Sequence, residues 1–250
     1  MKEERFFYCP DARNGNCLSK EEAGHALRVL RMKTGDYMTL IDGKGSFFEA
    51  RIIETTKQQC YYEIVRETKQ QRPWKGHLHL AIAPTKHMDR MEWLVEKVTE
   101  IGIDEITFLN CQYSERHDIK IERIEKTVIS AMKQSHKACK PHINDMCRFT
   151  QFVKQQFQGL KFIAHCYSDQ ELCPEGKPFL MDALNNYQED ILILIGPEGD
   201  FSRDEVELAL ANKFQPVSLG ECRLRTETAG LVALHIMNLN NRTYRDATLN

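Results

Sequence analysis

The chain has 250 residues, a length that fits one or two domains with a sizeable core. Its hydrophobic content of 42% and charged content of 28% are those of an ordinary globular protein, and no apolar run approaches the roughly 20 residues of a membrane span. The chain has nine cysteines without paired Cys-x-x-Cys spacing, and its N-terminus lacks a signal-peptide core. Both observations indicate a cytoplasmic protein with reduced thiols.

The charge distribution says more about partners than the net charge of −2 does. Lysine and arginine are in surplus in the first half of the chain, and residues 110–148 form the most basic stretch. Such a stretch is typical of an RNA-binding surface, but ordinary solvated surface charge explains it about as well.

Residues 1–72 have the pattern of a small β-barrel with one helix. Short apolar strands are predicted at hairpin spacing, and Ser19 offers a helix start with an apolar stripe behind it. The glycines of Gly43-Lys44-Gly45 are predicted to form a hairpin turn, because a strand and not a helix follows them. The predicted strands are Arg5–Tyr8, Tyr37–Ile41, Phe47–Ile53 and Tyr61–Val65.

The end of this helix carries a cluster of cations. Arg28, Arg31 and Lys33 follow His25 by about one to two turns, so the four side chains partly share one face. RNA-contacting side chains have this arrangement. A solvated helix end, where cations are favoured by the helix macrodipole, explains it equally well, and both interpretations stay open.

Residues 78–240 alternate strands and helices roughly five times, after the polar linker Gln70–Pro73. This alternation predicts a second domain with a mainly parallel sheet and helices on both faces, so that the domains are 1–72 and 73–250. The predicted strands are Leu78–Ala83, Ile106–Leu109, Lys161–His165, Ile191–Ile195 and Pro216–Leu219, and the predicted helices are Asp89–Ile101, residues 119–138, Phe149–Phe157, a helix from Arg203 and Thr226–Leu239.

The end of the helix predicted at 119–138 carries metal-ligand residue types. His136, Cys139 and His142 recur at three-residue spacing, as zinc ligands can. Pro141 breaks the helix between them, and no fourth ligand is evident. We therefore predict no metal site.

Two linked runs near the C-terminus indicate a ligand site. The buried strand Ile191–Ile195 stops at the turn Gly196-Pro197-Glu198-Gly199, and Ser202 with Glu205 has the spacing of a capping box. The second run repeats the plan with a short strand, Gly220, two arginines and a helix from Thr226. Bare backbone at successive strand ends lies at the carboxyl edge of a sheet, where open α/β folds bind ligands.

The same runs carry a specific resemblance. Ile195-Gly-Pro-Glu-Gly-Asp-Phe-Ser-x-x-Glu205 and Ser218-Leu-Gly-x-x-x-Leu-Arg-Thr-Glu-Thr-Ala229 resemble the signatures of the RsmE-type 16S ribosomal RNA uridine-N3 methyltransferases, of the SPOUT superfamily. The family's usual Gly-Gly is Gly199-Asp200 here, and its Ile-Leu-Arg is Arg223-Leu-Arg225. The resemblance implies a C-terminal trefoil knot, S-adenosylmethionine as cofactor, small-subunit ribosomal RNA as partner, a homodimer through the apolar final helix, and a PUA-like N-terminal barrel that holds RNA.

The resemblance also implies which residues bind. Three loops would wrap the cofactor: the loop after the third strand of the second domain, the Gly-Pro-Glu-Gly turn and the turn before the last helix. The cofactor-binding residues are His165, Cys166, Gly196, Pro197, Glu198, Gly199, Leu219, Gly220, Cys222, Arg223 and Leu224. The RNA-binding residues are Arg5, His25, Arg28, Arg31, Lys133 and Lys137, although Lys137 stands for a family arginine and lacks its planar fork.

The chemistry of uridine N3 assigns two catalytic candidates. The imide proton must be lost and the resulting negative charge stabilised, so a cation near the base is needed, and Arg225 is the first candidate. Glu198 is either a general base or a brace that accepts backbone hydrogen bonds, and the brace is favoured.

Three alternative functions stay open. A PUA-type RNA-binding protein without catalysis leaves the two C-terminal runs unexplained. A SPOUT methyltransferase could act on another RNA. A doubly wound oxidoreductase would need a G-x-G-x-x-G between a strand and a helix, which the sequence lacks.

Overall fold

The computed structural model describes residues 5–167, 172–174, 176–185 and 189–243. It divides into two compact units. The first unit comprises Met1–Gln71 and Ile129–Lys140, and the second comprises Arg72–Val128 and Pro141–Asn250. The sequence-predicted boundary after residue 72 stays a prediction, and it assigns Ile129–Lys140 to the other domain.

The first unit is built on a four-stranded sheet. The strands pair in the order β1-β2-β3-β4, with β1 parallel to β2 and the other pairs antiparallel. Alternate residues of β3 are buried, because successive side chains of a strand point to opposite faces. The elements are β1 Phe6–Tyr8, α1 Lys20–Gly24, a π-helical turn His25–Val29, β2 Tyr37–Ile41, β3 Ser46–Thr55 and β4 Cys60–Lys69.

The helix of the first unit begins as predicted and ends differently. The Ser19 hydroxyl accepts a hydrogen bond from the Glu22 backbone N–H at 3.2 Å, which confirms the N-cap. The α-helix gives way after one turn to the π-helical turn, and Arg31 has a left-handed backbone with φ 53°.

The segment Ile129–Lys140 completes the first unit. Helix α3, Ile121–Gln134, is shorter than the predicted 119–138, because His136 has a left-handed backbone with φ 54°. Beyond it, the Gln70 amide holds the chain by donating to the His136 carbonyl at 3.3 Å and accepting from the Ala138 N–H at 2.7 Å.

The second unit contains a seven-stranded sheet in which every pairing is parallel. Its strand order is β11-β9-β10-β5-β6-β7, with β8 also paired to β6, which confirms the predicted parallel α/β class. The trefoil knot stays a prediction. The elements are β5 Leu78–Ile82, α2 Met88–Ile101, β6 Glu105–Asn110, β7 His142–Ile143, β8 Cys147–Arg148, α4 Phe149–Phe152, β9 Leu160–Ala164, α5 Leu180–Leu184, β10 Ile191–Ile195, α6 Arg203–Ala211, β11 Gln215–Val217 and α7 Thr226–Asn241.

The order of the central strands positions the site. Strands β5 and β10 are buried along their whole length, as their unbroken apolar sequences predict. In register, Ile195 lies beside Ala164 on one side and Ile82 on the other, and Val217 also lies beside Ala164. The chain therefore leaves four strands at one edge of the sheet, and the turns that follow them meet there.

One further helix differs in length from its prediction. The helix predicted at Phe149–Phe157 ends at Phe152, where a tighter turn follows and the Gln155 N–H bonds to the Phe152 carbonyl. Among the described helices, none is long and apolar enough to cross a membrane.

Candidate active site at the carboxyl edge of the sheet

The turns after β9 and β10, the segment before α7 and the first turn of α2 enclose a cleft of about 400 Å³. This volume is within the roughly 300–1,000 Å³ of typical small-molecule sites. The sequence-predicted residues that line it are Cys166, Gly196, Pro197, Glu198, Arg223, Leu224 and Arg225. Of the other predicted cofactor residues, His165 is buried next to Cys166, while Gly199, Leu219, Gly220 and Cys222 are not among the lining residues. The cofactor roles of all these residues stay predictions.

Glycine at 196 is required by packing. Gly196 is buried, and a Cβ there would lie 3.1 Å from both the ring and the backbone nitrogen of Phe201. Its φ is not positive, and the left-handed residue of this turn is Asp200, with φ 67°. A non-glycine residue rarely adopts this conformation, and Asp does so more readily than most because its side chain can hydrogen-bond locally.

The Asp200 carboxylate explains how the turn tolerates this backbone. Its Oδ1 accepts from the Phe201 N–H at 2.8 Å, and its Oδ2 accepts from the Cys166 N–H at 2.7 Å. Asp200 thus ties the turn after β10 to the turn after β9 and lines the cleft itself. Sequence reasoning noted this position only as a departure from the family's second glycine.

Glu198 accepts a backbone hydrogen bond from the turn after β5. Its side chain is exposed, and Oε1 accepts a hydrogen bond from the Lys86 backbone N–H at 2.9 Å. Lys86 belongs to the turn after β5, so this bond ties a third strand end to the Gly-Pro-Glu-Gly turn. The contact supports the bracing role that the sequence favoured for Glu198.

The capping box after the turn fixes where α6 begins. The Ser202 hydroxyl accepts from the Glu205 N–H at 3.3 Å, and Glu205 Oε2 accepts from the Ser202 N–H at 2.9 Å, as predicted. Glu205 Oε1 also accepts from the Gln112 N–H at 2.8 Å, which anchors the helix start to the chain after β6.

Three arginines line the cleft, and sequence reasoning missed one of them. Arg225 is the N-cap residue of α7, and its side chain is exposed, as is that of Arg223. Arg90, in the first turn of α2, is the third. It follows the end of buried strand β5, so the rule that ligand sites form at strand ends could have indicated it.

Arg90 lies beside a buried carboxylate. Its Nε is 3.9 Å from Glu227 Oε1, and Glu227 is only 7% exposed. Within the part of the chain that the structure describes, Glu227 Oε2 and His165 Nδ1 are buried without a hydrogen-bond partner. Buried polar atoms are normally paired, so unpaired ones beside a cleft fit a site that a polar ligand completes.

His165 is neutral at pH 7. Burial lowers its pKa to about 4, and the charge of Lys177 adds to this effect. Its carbonyl accepts a hydrogen bond from Lys177 Nζ at 2.6 Å, and its Nε2 lies 3.7 Å from the Cys173 sulfur. A neutral imidazole carries both a donor and an acceptor nitrogen, and either suits a neutral nucleobase edge or sugar hydroxyl.

These residues together fit S-adenosylmethionine. The cleft offers bare backbone at its turns, unpaired polar atoms beside it and charges of both signs, which match a cofactor that carries an adenosine, a carboxylate and two cationic groups. Metal ligation has no support in the described residues, where no group of three His, Cys, Asp or Glu side chains could hold an ion.

The predicted RNA-binding residues fall into two groups. Arg5 and Arg31 line a cavity within the first unit, and His25 and Arg28 are exposed on its helical segment. Lys133 Nζ instead bonds to buried Glu22 at 2.8 Å, and burial lowers the pKa of Lys137. The last two lysines are therefore engaged inside the unit, and the RNA-binding role of all six residues stays a prediction.

Comparisons with known proteins agree over most of the chain. An RNA methyltransferase PUA domain matches residues 18–65, and an RNA methyltransferase domain matches residues 72–238. The Ribosomal RNA small subunit methyltransferase E of Rickettsia conorii is 30% identical over 208 residues, 82% of each chain. A probable rRNA-methyltransferase from Porphyromonas gingivalis is 45% identical, with a TM-score of 0.85 over 95% of this chain and 98% of that one. A Legionella pneumophila methyltransferase, solved with bound SAM, is 30% identical, with a TM-score of 0.83 over the same shares.

Proposed function

The chain belongs to the RNA methyltransferase family whose domain it matches over residues 72–238, and on this premise we propose that it methylates a uridine of small-subunit (16S) ribosomal RNA at N3. The observation that carries the proposal is the cleft at the carboxyl edge of the sheet, where two signature runs meet around three arginines. S-adenosylmethionine, bound there, would supply an electrophilic methyl group. The names of the curated relatives support small-subunit ribosomal RNA as the substrate.

The chain's own residues hold the cofactor and prepare the base. The turn 196–200 and the segment 219–224 present backbone groups. Glu198 and Asp200 tie the turn 196–200 to the turns after β5 and β9 through hydrogen bonds. The exposed Arg225 side chain favours the deprotonated, negatively charged uracil ring over the neutral one. We assign Glu198 the role of a brace and not that of a general base, because its Oε1 accepts the Lys86 backbone N–H.

The rival functions are weaker on specific grounds. A non-catalytic RNA-binding protein requires only the first unit and gives no reason for the tied turns of the cleft. An oxidoreductase lacks the glycine fingerprint for a dinucleotide. We place the protein in the cytoplasm, since its nine cysteines are free thiols and its proposed substrate is a bacterial-type ribosomal RNA.

The apolar surface of α7 supports a homodimer. Leu231, Val232 and Ile236 are only half-buried within the chain, and Leu239 is 44% exposed. Helix α2, which packs on α7, adds Trp93 at 42% exposure. A soluble monomer rarely leaves so many large apolar side chains on adjoining helices, so a second copy is proposed to cover them.

Light scattering at micromolar concentration tests the dimer. The expected mass is twice the 29.1 kDa of one chain, and Leu239→Glu should shift it towards the monomer. Val29→Glu, at a 65% exposed apolar residue of the first unit, is the matched control and should leave the mass unchanged. A monomeric wild-type protein would contradict the proposal.

The methylation proposal is tested with methyl-labelled S-adenosylmethionine. The protein should transfer label to small-subunit ribosomal RNA or to the assembled small subunit, and nuclease digestion should give N3-methyluridine. Large-subunit RNA is the control and should stay unlabelled. Label on another atom, on another RNA only, or no transfer with RNA binding intact would contradict the proposal in distinguishable ways.

A further inference from the structure

The first unit contains a cavity of about 840 Å³ that the assigned chemistry does not use. A row of cross-strand neighbours forms part of its wall: Phe6 pairs with Thr39, Thr39 with Glu49, and Glu49 with Arg66. Residues opposite one another on paired strands point to the same face, so one face of the whole sheet borders the cavity.

An aromatic pair provides a flat surface in this cavity. The His136 ring stacks on Phe6 with centroids 4.2 Å apart and planes 25° apart, and Phe47 contacts Phe6 edge-on at 6.2 Å. His136 is exposed, whereas Phe6 is partly buried beneath it. The outer face of the imidazole is thus available for another planar ring.

Cations line the same cavity as the aromatic pair. Arg5, Arg31, Lys33 and Arg66 line the cavity and outnumber its carboxylates, Asp36 and Glu49. The Arg66 side chain is 74% exposed and lies 3.9 Å from Glu49, a loose surface pair. Among the described residues, no carboxylate forms an ion pair with Arg31.

The backbone is strained at two of the lining residues. Arg31 and His136 both have left-handed backbones, with φ 53° and 54°. Neither is glycine, and such conformations cost free energy that proteins retain mainly at functional sites. These two residues bring a cation and an exposed ring to the same cavity.

We propose that this cavity is a subsite for an unpaired nucleotide of the RNA substrate, with its base stacked on the His136 ring and its phosphates held by Arg31, Arg5 and Arg66. Stacking on an aromatic side chain beside cations is how proteins hold single-stranded RNA, and a base inside a duplex is not free to stack in this way. The inference rests on the proposed RNA substrate and adds that the bound segment is single-stranded.

Fluorescence anisotropy with the full-length protein and a labelled eight-nucleotide uridine-rich RNA tests the subsite. His136→Asn removes the ring but keeps a residue that tolerates the left-handed backbone, and it should weaken binding about tenfold without changing the salt dependence. His136→Tyr, which restores an aromatic ring, should recover most of the affinity.

Arg31→Gly tests the charge without adding strain, since glycine adopts positive φ freely. It should weaken binding and lower the slope of log K against log salt by about 0.7, the value for one phosphate of a single strand. Lys57→Ala removes an exposed lysine of the same unit that does not line the cavity, and should change neither quantity.

Three results would overturn the subsite: full affinity in His136→Asn, equal loss in Lys57→Ala, or duplex RNA competing as well as single-stranded RNA. Cofactor affinity and methyl transfer are measured on the same proteins. If the wild type transfers no methyl group yet His136→Asn still loses RNA affinity, the proposed reaction fails and the subsite stands. If the wild type transfers the methyl group normally and neither His136→Asn nor Arg31→Gly changes RNA affinity, the proposed reaction stands and the subsite fails.

Discussion

The cleft of the second unit and the cavity of the first unit are built in different ways. The cleft of the second unit is formed mainly by turns at the ends of neighbouring parallel strands, and much of its lining comes from two short runs, 195–200 and 223–229. The cavity of the first unit is formed by side chains drawn from segments between Arg5 and His136. Backbone held by internal hydrogen bonds suits a small ligand of fixed shape, whereas aromatic and cationic side chains suit a flexible polymer whose sequence varies along its length.

The largest expected effect belongs to the cleft. Arg225→Ala should lower the single-turnover methylation rate at saturating cofactor and RNA by ~10²-fold or more, because it removes the cation that stabilises the charged base. Cofactor and RNA affinities should change only modestly. Arg223→Ala, the neighbouring arginine of the same lining, is the control and should cost less. A near-normal rate in Arg225→Ala would show that another group performs this step.

Acidic pH should lower the stability of the second unit, which holds the cleft. Burial lowers the pKa of His79 and of His165 to about 4, whereas each has a pKa near 6.5 when unfolded. Because the unfolded chain binds these protons more readily, stability falls as the pH drops from about 6.5 towards 4. Each histidine should lower the free energy of unfolding by about 2 kcal/mol between pH 7 and pH 5.

A third histidine, the half-exposed His77, opposes this loss of stability in part. The hydrogen bond between His77 and Glu105 raises the pKa of His77. His77 therefore contributes stability at low pH that is lost as the pH rises through its folded pKa. Urea unfolding followed by tryptophan fluorescence measures the balance, since Trp74 and Trp93 are the only tryptophans and both belong to the second unit. Equal or greater stability at pH 5 would contradict the net prediction of a loss.

Asp200 tests whether the turns must be tied together. Asp200→Ala removes both hydrogen bonds of the carboxylate and leaves a left-handed alanine, so S-adenosylmethionine affinity should fall about tenfold. Asp200→Gly relieves the backbone but not the lost bonds and should bind slightly better than the alanine variant. If alanine binds as tightly as aspartate, the link to the Cys166 turn does not matter for the cofactor.

Glu198→Gln should have the smallest effect. The glutamine carbonyl can still accept the hydrogen bond from the Lys86 N–H, so the methylation rate should drop only a few-fold and the pH–rate profile should keep its shape. Loss of a pH-dependent limb in this variant, together with a near-complete loss of turnover, would make Glu198 a general base instead.

The contrast between the cleft and the cavity also explains which site residues could be predicted from the sequence. The parallel sheet, the capping box of Ser202 and Glu205 and most of the cleft lining followed from local patterns, because strand ends and turn residues are adjacent in sequence. Arg90 and Asp200 were missed as cleft residues, since one comes from a different strand end and the other replaces a glycine through its side-chain hydrogen bonds.

The side-chain cavity was harder to predict. Arg5 and Arg31 were identified as RNA-binding candidates, but nothing in the spacing of residues 6 and 136 indicates that Phe6 and His136 stack. Lys133 was predicted to face RNA, and its pairing with Glu22 depends on a tertiary contact across more than one hundred residues. Long-range pairings of this kind leave no local signal in the chain.

The central claim is that the cleft of the second unit binds the cofactor and the cavity of the first unit does not. Calorimetric titration of S-adenosylmethionine into matched variants tests this claim most directly. Gly220 and Gly35 both have positive φ with open space around the missing Cβ, so valine imposes similar backbone strain at either position. The account predicts that Gly220→Val abolishes cofactor binding with circular dichroism preserved, while Gly35→Val and His136→Asn bind like the wild type. Unchanged affinity in Gly220→Val, or lost affinity in His136→Asn, would contradict it.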